Sequence, residues 1–427
     1  MSHLAEIARV LRHRDFRLLW LGQSASVLGD NIVLVALALF VIRRTGSATD
    51  LGYVLAAQAL SLVAFLLVGG VWADRLPRHL VVVATDLVRF ALHALLAALI
   101  FAGSVPIWQL VAIELLYGAA EAFFRPAANG LLPQTVPEAD IQQATAINTI
   151  SSNVAQFAGP ALATALVLGA GAGWAFALDA VTFLVSAALL VRVRPRAREQ
   201  RRQAPQREGV WREIRQGARE VRSRAWVWAT LASFCAALFF GIAAWFVLGP
   251  VVAREQYAHT GVFGYVEAAF GAGSLIGSLA GVRWRPRFPM RMAMLAVLVW
   301  PLTMIPYALG ATLAAVLPLS VLGGAGFALF DVWWLTALAE RIPPQSLSRV
   351  TSYDWMVSLG LLPLGYLMMG PLASRLGAVD VLLGGSVLAA AAFALGLLPR
   401  ETRTLERLAR PHGATAVDDA LAGTRRR

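Results

Sequence analysis

Twelve apolar stretches, each about as long as a bilayer is thick, leave this chain few ways to fold. They run over residues 18–42, 51–73, 80–102, 106–129, 144–169, 173–193, 226–252, 262–282, 290–309, 314–338, 350–373 and 379–398. A spanning helix needs about 20 predominantly apolar residues. Backbone groups in lipid must be satisfied within their own segment, so each stretch is expected to be a helix; none alternates as a barrel strand would. Only 15% of the 427 residues are charged and 58% are hydrophobic, whereas soluble domains carry about 25% charged residues. A water-soluble helical protein of this makeup would leave broad apolar patches in solvent. The expected class is therefore an all-α membrane protein.

The formal net charge of +12 would point to nucleic acid in a soluble chain. Here every one of the 37 basic residues is arginine, and their placement is topological. Only Arg43, Arg44, Arg254 and Arg375 fall in loops that would face outward, and Arg89 and Arg125 fall inside spans. The remaining 31 lie in inner loops and tails. Basic residues stay on the cytoplasmic side, so both termini are expected there. The partner so implied is the lipid bilayer, with no nucleic acid. Arg9, Arg12, Arg14 and Arg17 precede the first span, and no small-residue cleavage site follows at signal-peptide distance, so that span is expected to be retained. The lone Cys235 lies in an apolar run and permits no intrachain disulfide.

The segment 192–224 holds twelve arginines against Glu199, Glu208, Glu213 and Glu220, and it divides six spans from six. It reads as a solvated linker lying on anionic headgroups. The expected layout is a cytoplasmic segment 1–17, a six-helix bundle 18–193, an arginine-rich linker 194–225, a second bundle 226–399 and a disordered cytoplasmic tail 400–427. The bundles repeat each other. At an offset of 206 residues Gly118 matches Gly324, Phe124 matches Phe330, Leu132 matches Leu338 and Pro137 matches Pro343. At an offset of 212, Gly52-Tyr53-Val54 matches Gly264-Tyr265-Val266, and Gly69, Trp72, Arg75 and Pro77 match Gly281, Trp284, Arg287 and Pro289. Two similar six-span halves are a transporter layout with the substrate path between them.

Between spans 2 and 3 stands "GVWADRLPRH", Gly70 to His79. It resembles the loop signature of the major facilitator superfamily, with Pro77 in place of the second glycine and His79 in place of the last basic residue. The second-half copy, "GVRWRPRFPMR", lacks the aspartate. Gly70 and Asp74 are four apart and share a helix face. Glycine permits close helix approach, and a carboxylate can accept from the free N–H groups of a helix start. The resemblance implies that Gly70, Asp74, Arg75 and Arg78 latch the inner gate against span 11. It also implies a major facilitator fold, twelve transmembrane helices in two pseudo-symmetric six-helix bundles.

"FRLLWLGQSASVLGDNI", "SATDLGYV", "FFRPAANGLLPQTVP", "QQATAIN" and "GPAL" together resemble the bacterial transmembrane secretion effector group, which includes enterobactin-exporter-like and macrolide-efflux-like proteins. The similarity runs from about Phe16 to Arg400. In span 5, Gly159 and Pro160 keep the end of the superfamily's antiporter pattern, and Gly271, Gly273, Gly277 and Gly281 offer span 8 a smooth matching face.

An ionised group near the bilayer centre costs about 2.5–3.5 kcal/mol on insertion scales, so each one raises a functional question. By family analogy spans 1, 4, 7 and 10 line the cavity. Asp30, in mid-span 1, is the first candidate for proton coupling, because an acid at that depth can bind and release a proton as its surroundings change. Glu114, Glu121 and Arg125 share one face of span 4. Glu121 is a second coupling candidate, and Glu114 a cavity candidate. Arg125 matches Asp331 in the repeat with the charge reversed, so the two are expected to pair across the inner mouth when it closes. Asp86 and Arg89 are expected to pair locally. Asp179 and Glu267 fall near outer span ends and read as interfacial. Asp354 is placed to cap the start of span 11 or to meet the latch. Trp245, Trp333 and Trp334 offer flat surfaces for an amphipathic ligand, or serve as interface anchors. Acids outnumber arginine on these spans, which favours a cationic or zwitterionic substrate.

There is no phosphate-loop motif, and the six histidines do not cluster at metal spacing. No enzyme, cofactor or metal site is expected. The resemblance implies a monomeric bacterial inner-membrane exporter that exchanges protons for a drug, secondary metabolite or siderophore. A proton-coupled importer of the same fold, a lipid flippase and a non-transporting membrane sensor are the alternatives.

Overall fold

A computed structural model describes residues 9–103, 105–196, 215, 218–343, 350, 351, 353, 354, 356, 357 and 359–407. The long helices of the first half are α1 (Arg14–Thr45), α2 (Ala48–Arg75), α3 (Arg78–Phe101), α4 (Ile107–Leu131), α5 (Ile141–Gly169) and α6 (Ala172–Leu190). Those of the second are α7 (Ala225–Tyr257), α8 (Gly261–Arg283), α9 (Pro289–Ala308), α10 (Leu313–Arg341), α11 (Leu362–Leu376) and α12 (Ala378–Leu395). A π-turn, Leu238–Ile242, interrupts α7.

Ten of these are both long and apolar enough to cross a membrane. The other two depart from the sequence expectation for different reasons. Helix α5 has 29 residues, about 43 Å at 1.5 Å per residue, but Gln142, Gln143, Asn148, Ser151, Ser152 and Asn153 make its first half polar. The described part of α11 covers 15 residues, and several positions at the start of the expected span lie outside the described residues.

Turn chemistry sets the helix ends. Gly46, at φ 69°, closes α1 with its N–H on the Ile42 carbonyl. Ser47 Oγ then caps α2 by accepting from the Asp50 N–H at 3.1 Å. Gly171 and Gly377, 206 residues apart, precede α6 and α12 at φ 102° and 94°, where side chains are disfavoured.

The repeat is physical. Within each half the same helices pack: α2 on α4 and α3 on α6, as α8 on α10 and α9 on α12. Gly118 of α4 lies against the Gln58 carbonyl of α2, and Gly324 of α10 lies against the Phe270 carbonyl of α8. Each member of one pair is the repeat equivalent of its counterpart in the other. Without a side chain at these points, two backbones approach closely enough for dispersion and Cα–H···O contact.

The halves touch through α2 with α11 and through α5 with α8. These contacts gather at the arginine-poor end. Gly52 meets the Tyr366 carbonyl, Gly370 meets Thr49, Gly264 meets Thr164, and Arg254 Nη2 donates to the Gly46 carbonyl at 3.2 Å. Along α5 and α8 they continue to Asn153 Nδ2 and Ser278 Oγ, 3.3 Å apart. At the arginine-rich end of α2, a side chain added at Gly70 would meet nothing within 4 Å among the described residues. Near that end Asp140 accepts from Arg9 at 2.7 Å and meets His13 Nε2 at 2.9 Å. His13, and then the Arg9 charge, hold the Asp140 carboxyl below its ordinary range.

Gly118→Val and Gly324→Val should each destabilise the protein by about 1–3 kcal/mol through overpacking. Gly70→Ala should leave stability unchanged or raise it. Thermal unfolding in detergent, followed by tryptophan fluorescence, checks all three.

Candidate functional site

Two cavities stand out among the described residues, one where the first half faces α11 and one within the second half. The first, about 260 Å³, is lined from α1, α2 and α4, with Leu362 and Tyr366 of α11. Glu114, Tyr117, Glu121 and Arg125 all reach it, because steps of three and four keep them on one face of α4. From α1 comes Asp30, which accepts from Tyr117 Oη at 2.5 Å. Its side chain is 33% exposed, to the cavity, whereas the groups behind it are sealed.

Those groups form one continuous polar network. Arg89 of α3 is 1% exposed, and its Nη1 lies 3.7 Å from Asp30 Oδ2. It also pairs with the fully buried Asp86, which accepts from Ser186 Oγ of α6 at 2.7 Å. The guanidinium lies between the Phe124 and Phe183 rings, 3.9 Å and 4.2 Å from their centroids. One turn along α3, His93 pairs through Nδ1 with Asp179 of α6, and both are buried. The imidazole stacks on Tyr117, with centroids 4.4 Å apart and planes 1° from parallel. Four helices are thus held by charges that lipid could not hold singly. The arrangement couples cavity-exposed Asp30 directly to Tyr117 and Arg89, and through Tyr117 to the buried His93–Asp179 pair.

The second cavity, about 90 Å³, lies among α7, α8, α9 and α10. Trp245, Phe246, Glu267, Phe270, Trp300 and Phe327 form most of its wall. Trp245 Nε1 donates to Glu267. The two cavities are repeat equivalents. At the offset of 212, Val33, Leu34, Leu55 and Gln58 of the first match Trp245, Phe246, Glu267 and Phe270 of the second. At the offset of 206, Glu114 and Glu121 match Ser320 and Phe327. The chemistry is exchanged. Asp30, Asp86, Arg89 and His93 become Ile242, Leu298, Pro301 and Ile305, while Tyr117 and Asp179 become Gly323 and Gly385.

Other candidates are placed as follows. Glu114 is buried, and its Oε1 has no hydrogen-bond partner among the described residues. Glu121 accepts from Arg125 at 2.9 Å and 2.5 Å. Asp331 is exposed and enters none of the ion pairs formed among the described residues, while Arg125 pairs with Glu121. Asp86 and Arg89 do pair, and Arg89 also reaches Asp30. Trp245 lines a cavity, but Trp333 and Trp334 line neither. Trp333 is buried and donates to the Trp284 carbonyl at 3.1 Å, and Trp334 donates to Asp354 at 3.0 Å. Asp179 and Glu267 are not interfacial as expected: Asp179 is sealed against His93, and Glu267 faces the second cavity.

Gly159 packs on Asn31 of α1. Pro160, lacking an N–H, leaves the Gln156 carbonyl free, and that carbonyl abuts Gly271 of α8. Of the loop signature, Arg75 is exposed, Arg78 Nη1 donates to the Gly130 carbonyl at 2.8 Å, and the Asp74 side chain lies outside the described residues. His93, Tyr117, Asp179 and Glu267 were not readable as a site. His93 stands four residues after Arg89, and Tyr117 stands between Glu114 and Glu121 at helical spacing, but Asp179 and Glu267 are each the one acid of their spans, and no spacing along one helix tells which groups of another they face.

A profile for the Major Facilitator Superfamily matches residues 19–359. Macrolide efflux protein A of Streptococcus pyogenes is 24% identical over 379 residues, covering 85% of this chain and 90% of that one. Putative bacilysin exporter BacE of Bacillus subtilis is 27% identical over 270 residues, covering 62% and 65%. Among solved structures, a bacterial homologue of the human lysosomal transporter Spinster, inward-facing and unoccupied, superposes with a TM-score of 0.71 at 15% identity, covering 96% of this chain and all of its own. A mutant of the nucleoside transporter NupG superposes with a TM-score of 0.72 at 14% identity, covering 90% and 99%. At such identities the structures show the fold alone.

Arg89→Ala should cost about 3–5 kcal/mol, because it strands Asp86 as an unpaired buried charge. Arg89→Lys should restore only part of this, since an ammonium cannot lie flat between two rings. Thermal melts and the yield of monodisperse protein measure both.

Proposed function

The chain belongs to the Major Facilitator Superfamily, and from that premise we propose that it exports a small amphipathic compound across the bacterial inner membrane in exchange for protons. The observation that carries this reading is Asp30, the acid of the network that meets the first cavity while hydrogen-bonded to Tyr117 and facing Arg89. A carboxylate so placed binds a proton when the cavity faces one side and releases it when the cavity faces the other. Protonation removes the negative charge opposite Arg89 and so alters the bond that ties α1 to α3. Glu121, paired with Arg125, is the second acid on the same wall.

In this reading the arginine-rich end is cytoplasmic, both termini lie there, and the contacts at the arginine-poor end seal the outside. Cargo enters from the cytoplasm. The halves then rock as rigid bodies, the α2–α11 and α5–α8 contacts shift toward the inner end, and Gly70 gains α11 as a neighbour. Arg75 and Arg78, with Asp74, latch that closure, and Arg125 meets Asp331 across the mouth. The relatives named for macrolide efflux and bacilysin export favour the outward direction and a drug-like or metabolite cargo. One chain holds both halves and the path between them, so the monomer is the working unit.

Everted vesicles with an acidified interior should accumulate a labelled macrolide, and Asp30→Asn should cut gradient-driven accumulation at least tenfold. Full activity of that variant removes Asp30 from coupling. Uptake with the opposite gradient preference identifies an importer, transfer of labelled lipid between leaflets a flippase, and no movement of either a sensor. Separately, Arg125→Asp and Asp331→Arg should each abolish transport, and the double swap should restore part of it. No recovery rules out their pairing.

A further inference from the structure

The second cavity is walled by rings where its repeat equivalent is walled by charges. We propose that it is a recognition site for a protonated or quaternary amine, with Glu267 as counter-charge and Trp245, Phe270, Trp300 and Phe327 as the aromatic walls. The proposal rests on the export reading for its place in the protein's work, and it narrows the cargo to amphipathic amines.

The hydrogen-bonding inventory of the cavity carries the argument. Among the described residues Glu267 is the one ionisable side chain in its lining, and no arginine or histidine is part of it. The Trp245 N–H is already given to Glu267. The two hydroxyls in the wall are also spent as donors: Thr303 Oγ1 donates to the Trp300 carbonyl at 2.7 Å and Ser320 Oγ to the Val316 carbonyl at 2.9 Å. Each hydroxyl oxygen keeps a lone pair to accept with. The wall therefore presents a carboxylate, two hydroxyl acceptors and ring faces to a ligand, with the Trp300 indole N–H as the one side-chain donor among the described lining residues that is not already engaged. An anion would meet the Glu267 carboxylate with no cationic side chain in the lining to offset it, whereas an ammonium finds a carboxylate, hydroxyl oxygens and π-faces.

The rings are arranged for this. Trp300 and Phe327 stand edge to face at 5.7 Å and 80°, and Phe270 meets Phe327 at 6.0 Å and 64°, so faces of different rings turn in different directions around the space. A cation within about 6 Å of such faces is attracted by their quadrupoles, more strongly when water is excluded. The volume of about 90 Å³ is small beside the roughly 300–1,000 Å³ of a site for a whole drug-sized ligand. It suits the headgroup of a larger molecule whose apolar body lies outside.

The repeat explains why the acid stands where it does. The position of Glu267 corresponds to Leu55, an apolar wall residue of the first cavity, and the position of Asp30 corresponds to Ile242. The second half has thus placed its acid on α8 instead of α7, away from any arginine. Asp30 has Arg89 opposite it, whereas Glu267 has only a neutral N–H and is open to a cationic ligand.

The test is binding of radiolabelled phenethyltrimethylammonium to the purified full-length protein in a neutral-headgroup detergent, with no gradient. Saturable binding is expected. Glu267→Gln should weaken it at least tenfold, and Glu255→Gln, at the exposed end of α7, should not change it. The uncharged isostere 3,3-dimethylbutylbenzene should compete at least tenfold less well than unlabelled amine. Glu267→Gln binding within twofold of wild type, or equal competition by the isostere, overturns the proposal. If Glu267→Gln does not purify as a monodisperse species, Phe270→Leu carries the same test: a several-fold loss supports the site and an unchanged affinity overturns it. Because no gradient is used, failure here leaves the export reading standing, and failed accumulation in vesicles with Glu267-dependent binding intact overturns only the export reading.

Discussion

In hydrocarbon no polar group can be left without a partner, and that single requirement organises this protein from backbone to site. It makes every long element a helix. It brings Gly118 onto the Gln58 carbonyl and Gly324 onto the Phe270 carbonyl, because without a hydrophobic drive between helices in lipid, close backbone packing has to supply the adhesion. It also dictates that Arg89, once present in α3, must be surrounded. Asp86 and Asp30 supply the counter-charge, Ser186 completes Asp86, and two phenyl rings flank the guanidinium. Removing any member leaves another exposed to a medium that cannot solvate it.

The two halves answer this requirement differently on one backbone plan. The first half accepts buried charge and neutralises it across α1, α3, α4 and α6. The second half replaces those positions with Ile242, Leu298, Pro301 and Ile305 and fills the equivalent space with aromatic rings. Equal scaffolds with unequal chemistry allow a division of labour. In the proposed cycle, proton binding and cargo recognition fall to separate cavities, and the rocking of rigid halves couples them. The halves meet through glycine-lined seams between α2 and α11 and between α5 and α8, the contacts that the proposed rocking would rearrange.

The seams also bear on how such a molecule can move. Gly52 and Gly370 let backbones meet at the arginine-poor end, Gly264 makes room there for the Thr164 side chain, and smooth surfaces can slide or tilt with few interdigitated side chains to unlock. Pro160 adds a local weakness in α5 where its freed carbonyl meets Gly271. The polar first half of α5, which kept that helix below the apolarity of the others, lies at the opposite, arginine-rich end, where Thr145, Thr149 and Ile150 are exposed.

Read alone, the sequence already determined the number and type of the helices, the ends that carry the arginines, the duplication and its two offsets, and the pairing of Asp86 with Arg89. Each of these is a local or periodic property: apolar length against bilayer thickness, charge between spans, identity at a constant offset, or a three-residue step on one helix face. Only the tertiary structure decided that Asp30, Tyr117 and Arg89 meet, that His93 and Asp179 close the same network, that Trp333 and Trp334 turn away from both cavities, and that Glu267 faces one. Those residues sit on different helices, separated by tens of residues in the chain. Which faces oppose is set by the rotation and crossing of packed helices, and no spacing along one helix encodes the rotation of another.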